Sequence, residues 1–226
     1  MEKKFELTDK FVINAFGIKL FQIKCNKSFK YANEGDLGGY VEKEDNLSQS
    51  GDAWVSGDAQ VYGDALVSGD AQVYGNARVS GNAQVSGDAQ VYGDALVSGD
   101  AQVYGNARVS GNAQVSGDAL VSGDAWVSGD ALVSGDAQVY GNARVYGNAR
   151  VENNHMHCGF DCFGSCNRHT HAYKTKGNKV EITCGCFRGN IEEFERKVEE
   201  THSGTIYEKQ YKAIINLIKI KFGIDG

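Results

Sequence analysis

Gly51-Asp52-Ala53-Trp54-Val55-Ser56 is followed by Gly57-Asp58-Ala59-Gln60-Val61-Tyr62, and the same phrase runs on to Gly147-Asn148-Ala149-Arg150-Val151-Glu152. Seventeen hexapeptides succeed one another without an insertion, keeping Ala from Ala53 to Ala149 and Val from Val55 to Val151. A period of six does not fit a helix, whose faces recur every 3.6 residues, and it is too short for helical-repeat arrays. It fits a coil with short flat sides. Ala and Val, two residues apart on an extended segment, point to one side, and the variable residue between them points to the other. The Gly-Asp or Gly-Asn step turns the corner, because Gly tolerates positive φ and Asp or Asn readily bonds its own backbone.

This pattern resembles the hexapeptide-repeat family, whose members fold as a left-handed parallel β-helix of triangular section with three hexapeptides per turn. The resemblance implies eighteen residues per coil and hence about six triangular coils over residues 51–152. At ~4.8 Å between stacked strands the prism is roughly 27 Å long. The expected fold is mainly β. It comprises an N-terminal β cap over residues 1–46, the repeat prism over 47–152, and a small α+β domain ending in two helices over 153–226.

Composition narrows the function. The net charge is −6, and the repeat carries eleven Asp against four Arg. An acidic rod repels phosphate backbones, so direct nucleic-acid binding is not expected. No stretch approaches the ~20 apolar residues of a membrane span. Met1-Glu2-Lys3-Lys4 leads into a mixed polar segment, which does not read as a signal peptide. With six Cys and no secretion signal, the expected setting is a reducing cytoplasm, that of a host cell if the protein is phage-encoded.

Before the repeat, short apolar runs around Phe5, Phe11 to Ile13, and Ile18 to Ile23 read as two or three strands including a hairpin. Gly35-Asp36-Leu37-Gly38-Gly39-Tyr40-Val41 is a turn-rich connector, and Leu47 falls in the alanine register, placing the start of the coil near Asp45. An uncovered solenoid end exposes backbone and apolar core, so this segment reads as a lid. Together, Glu6-Leu7-Thr8, the connector and the repeat resemble a group of uncharacterised acyltransferase-like hexapeptide proteins of bacteria and phages.

Residues 58–87 recur unchanged as residues 88–117. Thirty residues are five hexapeptides, not a whole number of coils, so the second copy is rotated by two thirds of a turn. A site that needs fixed neighbours on one face would not survive such copying, whereas a spacer would. Stacking each residue on the one eighteen later sorts the outward positions into three faces. Leu120, Trp126 and Leu132 then gird one coil, with Arg108 and Arg144 one rung either side of Trp126 and Arg150 one rung beyond Leu132. Large outward apolar groups tend to mark interfaces, though Trp and Leu also simply suit a β surface. These six residues are the candidate ligand or subunit contacts, and Arg beside Trp is within cation–π reach. Members of the hexapeptide-repeat family are often trimers, which makes the band a candidate trimer seam. Along one edge Asp58, Asn76, Asp94, Asn112, Asp130 and Asn148 alternate charged and neutral, which relieves a repulsion of roughly 1 kcal/mol between stacked carboxylates.

Continued past Val151, the coil would place His155 and His157 in an apolar column without partners, so the prism should end there. The following segment holds Cys158, Cys162, Cys166, His169, His171, Cys184 and Cys186. A zinc site could be assembled from these thiols and imidazoles. No CxxC pair is present, however, and cysteines are also common buried hydrophobes. Arg168–Lys174 and Lys179–Cys184 read as a hairpin, and two amphipathic helices follow, the first opened by an Asn190-to-Glu193 capping box.

Two functions remain. The first is a non-catalytic scaffold or binding protein with no cofactor, expected as a homotrimer. A narrower version is a phage or prophage accessory protein that binds a host factor or sequesters a small anionic ligand. The alternative, implied by the family resemblance, is an acyl-CoA-dependent acyltransferase. Such enzymes, like the γ-class carbonic anhydrases of the same fold, rely on histidines at the coils, and residues 1–154 contain none. No catalytic residue is therefore assigned.

Overall fold

The structure, a computed structural model, describes residues 3–224. Met1 and Glu2, which opened the signal-peptide reading, and the last two residues of the expected C-terminal domain lie outside the described residues.

Each hexapeptide contributes one two-residue strand, from β4 (Trp54–Val55) to β20 (Arg150–Val151). Every third strand stacks in parallel on the one before: Gln72 on Trp54, Gln90 on Gln72, Arg108 on Gln90. Three sheets result, ordered β19-β16-β13-β10-β7-β4, β18-β15-β12-β9-β6, and a third that runs β5-β8-β11-β14-β17-β20. The alanine and valine of every repeat are buried, so the core is one column of two side-chain types. Glycine at the corner is required twice over. Gly69 has φ +66°, and a Cβ there would lie 2.9 Å from the Gly87 nitrogen of the next coil. Between coils the Asn amides donate to the Asp carboxylates above them, as Asn76 to Asp94 and Asn112 to Asp130, each at 2.9 Å. Where Asp70 stacks on Asp88 instead, Lys30 reaches out from the cap to 3.9 Å from both.

The N-terminal cap is an antiparallel hairpin, β1 (Phe5–Ile13) with β2 (Lys19–Cys25), continued by β3 (Leu37–Val41). β3 is already a rung of the prism, pairing in parallel with β5 (Gln60–Val61) through Tyr40 with Gln60 and Val41 with Val61. The expected register of Leu47 is corrected here: it bridges to Val67, so it occupies a valine rung and not an alanine one. The first coil is two residues longer than the rest. The surplus lies around Gln49, whose side chain receives the backbone N–H of Lys4 and returns a bond to the Phe5 carbonyl, tying in the start of β1. Carbonyls that would have faced an earlier coil are taken by side chains. Lys4 Nζ donates to Ala53 O at 2.9 Å and Asn46 Nδ2 to Ala65 O at 2.8 Å. Burial of Lys4 lowers its ammonium to about 8. Phe29 stands edge-on to Trp54 at 5.4 Å and covers it.

The opposite end is closed by an antiparallel sheet of β21 (His157–Phe163), β22 (Arg168–Lys174), β23 (Val180–Cys184) and β24 (Phe187–Gly189). The expected hairpin is β22–β23; β21 and β24, which flank it, carry no alternation that would have announced them. Tyr173 is fully buried and belongs to the Val/Ala core, plugging the column as an apolar ring whose hydroxyl donates to Glu181 at 2.6 Å. Helices α1 (Ile191–His202) and α2 (Ile206–Phe222) pack on the other face of this sheet through Ile191, Phe194, Val198, Tyr211, Ile214 and Ile218. The Asn190–Glu193 capping box forms, and Gly223 ends α2 in the left-handed region. Among the described residues no helix is long and apolar enough to cross a membrane.

Candidate functional site

Two places gather chemistry: the aromatic band on the prism and the junction where the prism meets the terminal sheet.

On the band, the rungs stack as the period dictates, Trp126 between Arg108 and Arg144 and Leu132 beneath Arg150. Leu120, Trp126 and Leu132 are half-buried and the three arginines exposed. The indole is engaged within the chain. Its N–H donates to Ser110 Oγ at 3.1 Å and its ring meets Tyr146 edge-on at 5.5 Å. Among the described residues the cations seated over aromatic rings are Lys4, Lys19 and Lys30, all in the cap, and neither Arg108 nor Arg144 sits over the indole. Elsewhere on the same face Tyr74 and Tyr92 stack in parallel at 4.9 Å.

At the junction, β21 and β22 bring His157, His169 and His171 together. His169 and His171 alternate on one strand face, with ring centres 5.6 Å apart. His157, directly across from Tyr173 in the β21–β22 ladder, lies with its ring centre 5.2 Å from that of His171. His157 Nδ1 and His171 Nε2 are 3.0 Å apart. Burial holds both rings neutral, lowering His171 to about 3 and His157 to about 4; Lys221 adds to the effect on His157. His169 places Nδ1 at 2.7 Å from Asp161 Oδ1, and its Nε2 is buried with no hydrogen-bond partner. These groups, with Cys158 and Lys221, line a cavity of about 440 Å³.

The thiols are placed differently. Cys184 is buried and accepts a bond from Thr170 at 3.2 Å, beside the Tyr211 hydroxyl. Cys158 is half-buried, and burial pushes its thiol up to about 11. Cys162, Cys166 and Cys186 are exposed. Among the described residues no group of three or more His, Cys, Asp or Glu side chains is gathered in a metal-holding arrangement. Sequence reasoning missed His157, Asp161, Asn154 and Lys221 as partners of the two strand histidines. The i,i+2 spacing of His169 and His171 was its only local signal.

The model of a protein family described as Bactofilin, polymer-forming cytoskeletal, matches residues 65–167. The match runs from the second coil through the rest of the prism and β21, a little under half of the chain. Among curated proteins none matches the chain. The likeness that the comparisons support is therefore to a polymer-forming β-solenoid, and an acyltransferase kinship is not among what they show.

Proposed function

We propose that this chain is a non-catalytic scaffold that assembles with copies of itself, the prism serving as a spacer of heritable length. The observation that carries the reading is the unchanged recurrence of residues 58–87 as 88–117, a copying step that turns every face by two thirds of a coil. A structural column of Val and Ala is indifferent to that rotation; a substrate site is not. The likeness of residues 65–167 to a family described as polymer-forming and cytoskeletal supports the same reading.

Both prism ends are occupied, by Lys4 and Asn46 at one and Tyr173 at the other. Assembly of this chain accordingly runs through its sides. The finer form of the proposal is a homotrimer joined along the band of Leu120, Trp126 and Leu132, with Arg108, Arg144 and Arg150 left to meet an anionic ligand or a host protein in the cytoplasm. Sedimentation velocity over a concentration series tests it. Sedimentation at the mass of a multimer is expected, and a monomer at every concentration contradicts it. Leu120→Ser with Leu132→Ser abolishes association if the band is the seam; unchanged association removes the band while leaving the scaffold intact.

A further inference from the structure

The protons on the junction histidines follow from what stands behind each ring. His171 Nδ1 is 3.2 Å from the Arg144 carbonyl oxygen. A carbonyl can only accept, so Nδ1 carries the hydrogen and Nε2 keeps its lone pair. His157 Nε2 faces Asn154 Oδ1 at 3.4 Å. That amide's orientation is set independently, because Oδ1 receives the Gln138 backbone N–H at 2.9 Å and Nδ2 points to the Asp136 carbonyl at 3.4 Å. The hydrogen of His157 is thereby directed to Nε2, and its Nδ1 keeps a lone pair. The two lone pairs confront each other across 3.0 Å in a buried setting. A cation between them turns repulsion into two bonds.

A metal ion needs the two nitrogens to part only slightly from their 3.0 Å separation. Two imidazole nitrogens at ~2.0–2.1 Å from a tetrahedral metal stand roughly 3.3 Å apart. Imidazoles that donate their outer N–H to a carbonyl or carboxylate are the usual form of a metal-ligating histidine.

We propose that His157 Nδ1 and His171 Nε2 form an open binding site for a divalent transition-metal ion of the zinc, cobalt and nickel class. The Arg144 carbonyl and Asn154 side chain orient the rings, and water from the adjoining cavity completes the coordination. His169 shows the same pattern one step away. Asp161 holds its Nδ1, its Nε2 is buried without a partner, and its ring centre lies 5.6 Å from that of His171. Two charges act on the ion from the same cavity, Lys221 against it and Asp161 for it. The site uses imidazoles and leaves the thiols out.

Titration of the full chain with cobalt(II) under reducing conditions, followed by visible absorption and by metal analysis after gel filtration, tests this. One cobalt per chain is expected, with ligand-field bands and no thiolate-to-cobalt charge transfer. His157→Gln is expected to weaken binding about tenfold or more, while replacing Cys162, Cys166 and Cys186 together with Ser leaves it unchanged. Absence of uptake, a thiolate band in the wild-type spectrum, or full binding by His157→Gln overturns the proposal. The wild-type spectrum decides between imidazole and thiolate whatever the stability of the variants.

Discussion

The prism and its C-terminal closure solve the same problem by opposite means. In the prism each buried position repeats, so no rung depends on which rung lies next to it. In the closure every buried residue is particular: Tyr173 enters the column, His171 and Thr183 converge on the Arg144 carbonyl, and Lys176 N–H reaches the Asn148 carbonyl. The prism is therefore tolerant of copying and the closure is not. A solenoid can be lengthened by repetition, but it can be ended only by a segment that breaks the repetition and satisfies what the last coil leaves open.

Tyr173→Ala should separate the two regions most. Deleting a buried aromatic ring costs about 3–5 kcal/mol, and the loss should fall on β21–β24, leaving amide protection in the middle coils intact by hydrogen exchange. Equal loss of protection throughout would show that the closure and the prism fold as one cooperative unit.

Acid is the next lever. His157 and His171 have folded-state values of about 4 and 3, below the ordinary 6.5. The unfolded chain takes up these protons first, so their contribution to stability is fully present above pH 6.5 and is lost as pH falls from there through the folded values. Thermal melting followed at the closure should therefore drop between pH 6.5 and 4.5. His157→Gln should flatten that dependence, and an unchanged slope would contradict it.

The smallest effect belongs to the edge ladders. Asn112 donates to Asp130 at 2.9 Å, and Asn112→Asp replaces that bond with a carboxylate stacked between those of Asp94 and Asp130. The expected cost is about 1 kcal/mol, largely recovered in high salt. Chemical denaturation at two ionic strengths checks both the size and the recovery.

What could be read from sequence divides along the same line. The prism was legible because its code is redundant: Val, Ala and the Gly corner recur too often for any other period, and the helices carried their own caps at Asn190 and Gly223. The first coil was misread at Leu47 because two residues around Gln49 interrupt the period, and only the arrival of β1 explains them. The closure was legible as an interruption and little more. That Tyr173 would enter the core, or that His157 would meet His171 across two strands, depends on pairing between distant residues. Neither leaves a periodic trace.

Removal of residues 88–117 followed by electron microscopy and sedimentation tests the central claim most directly. Excising one copy shortens the prism by about 8 Å at ~4.8 Å per coil and rotates the closure by two thirds of a turn relative to the cap. If the prism is a spacer without a reactive face, the shortened protein folds, keeps its closure and still assembles. Aggregated or unfolded protein, or a folded protein that no longer associates, would mean that the orientation of the faces matters and that the prism carries more than length.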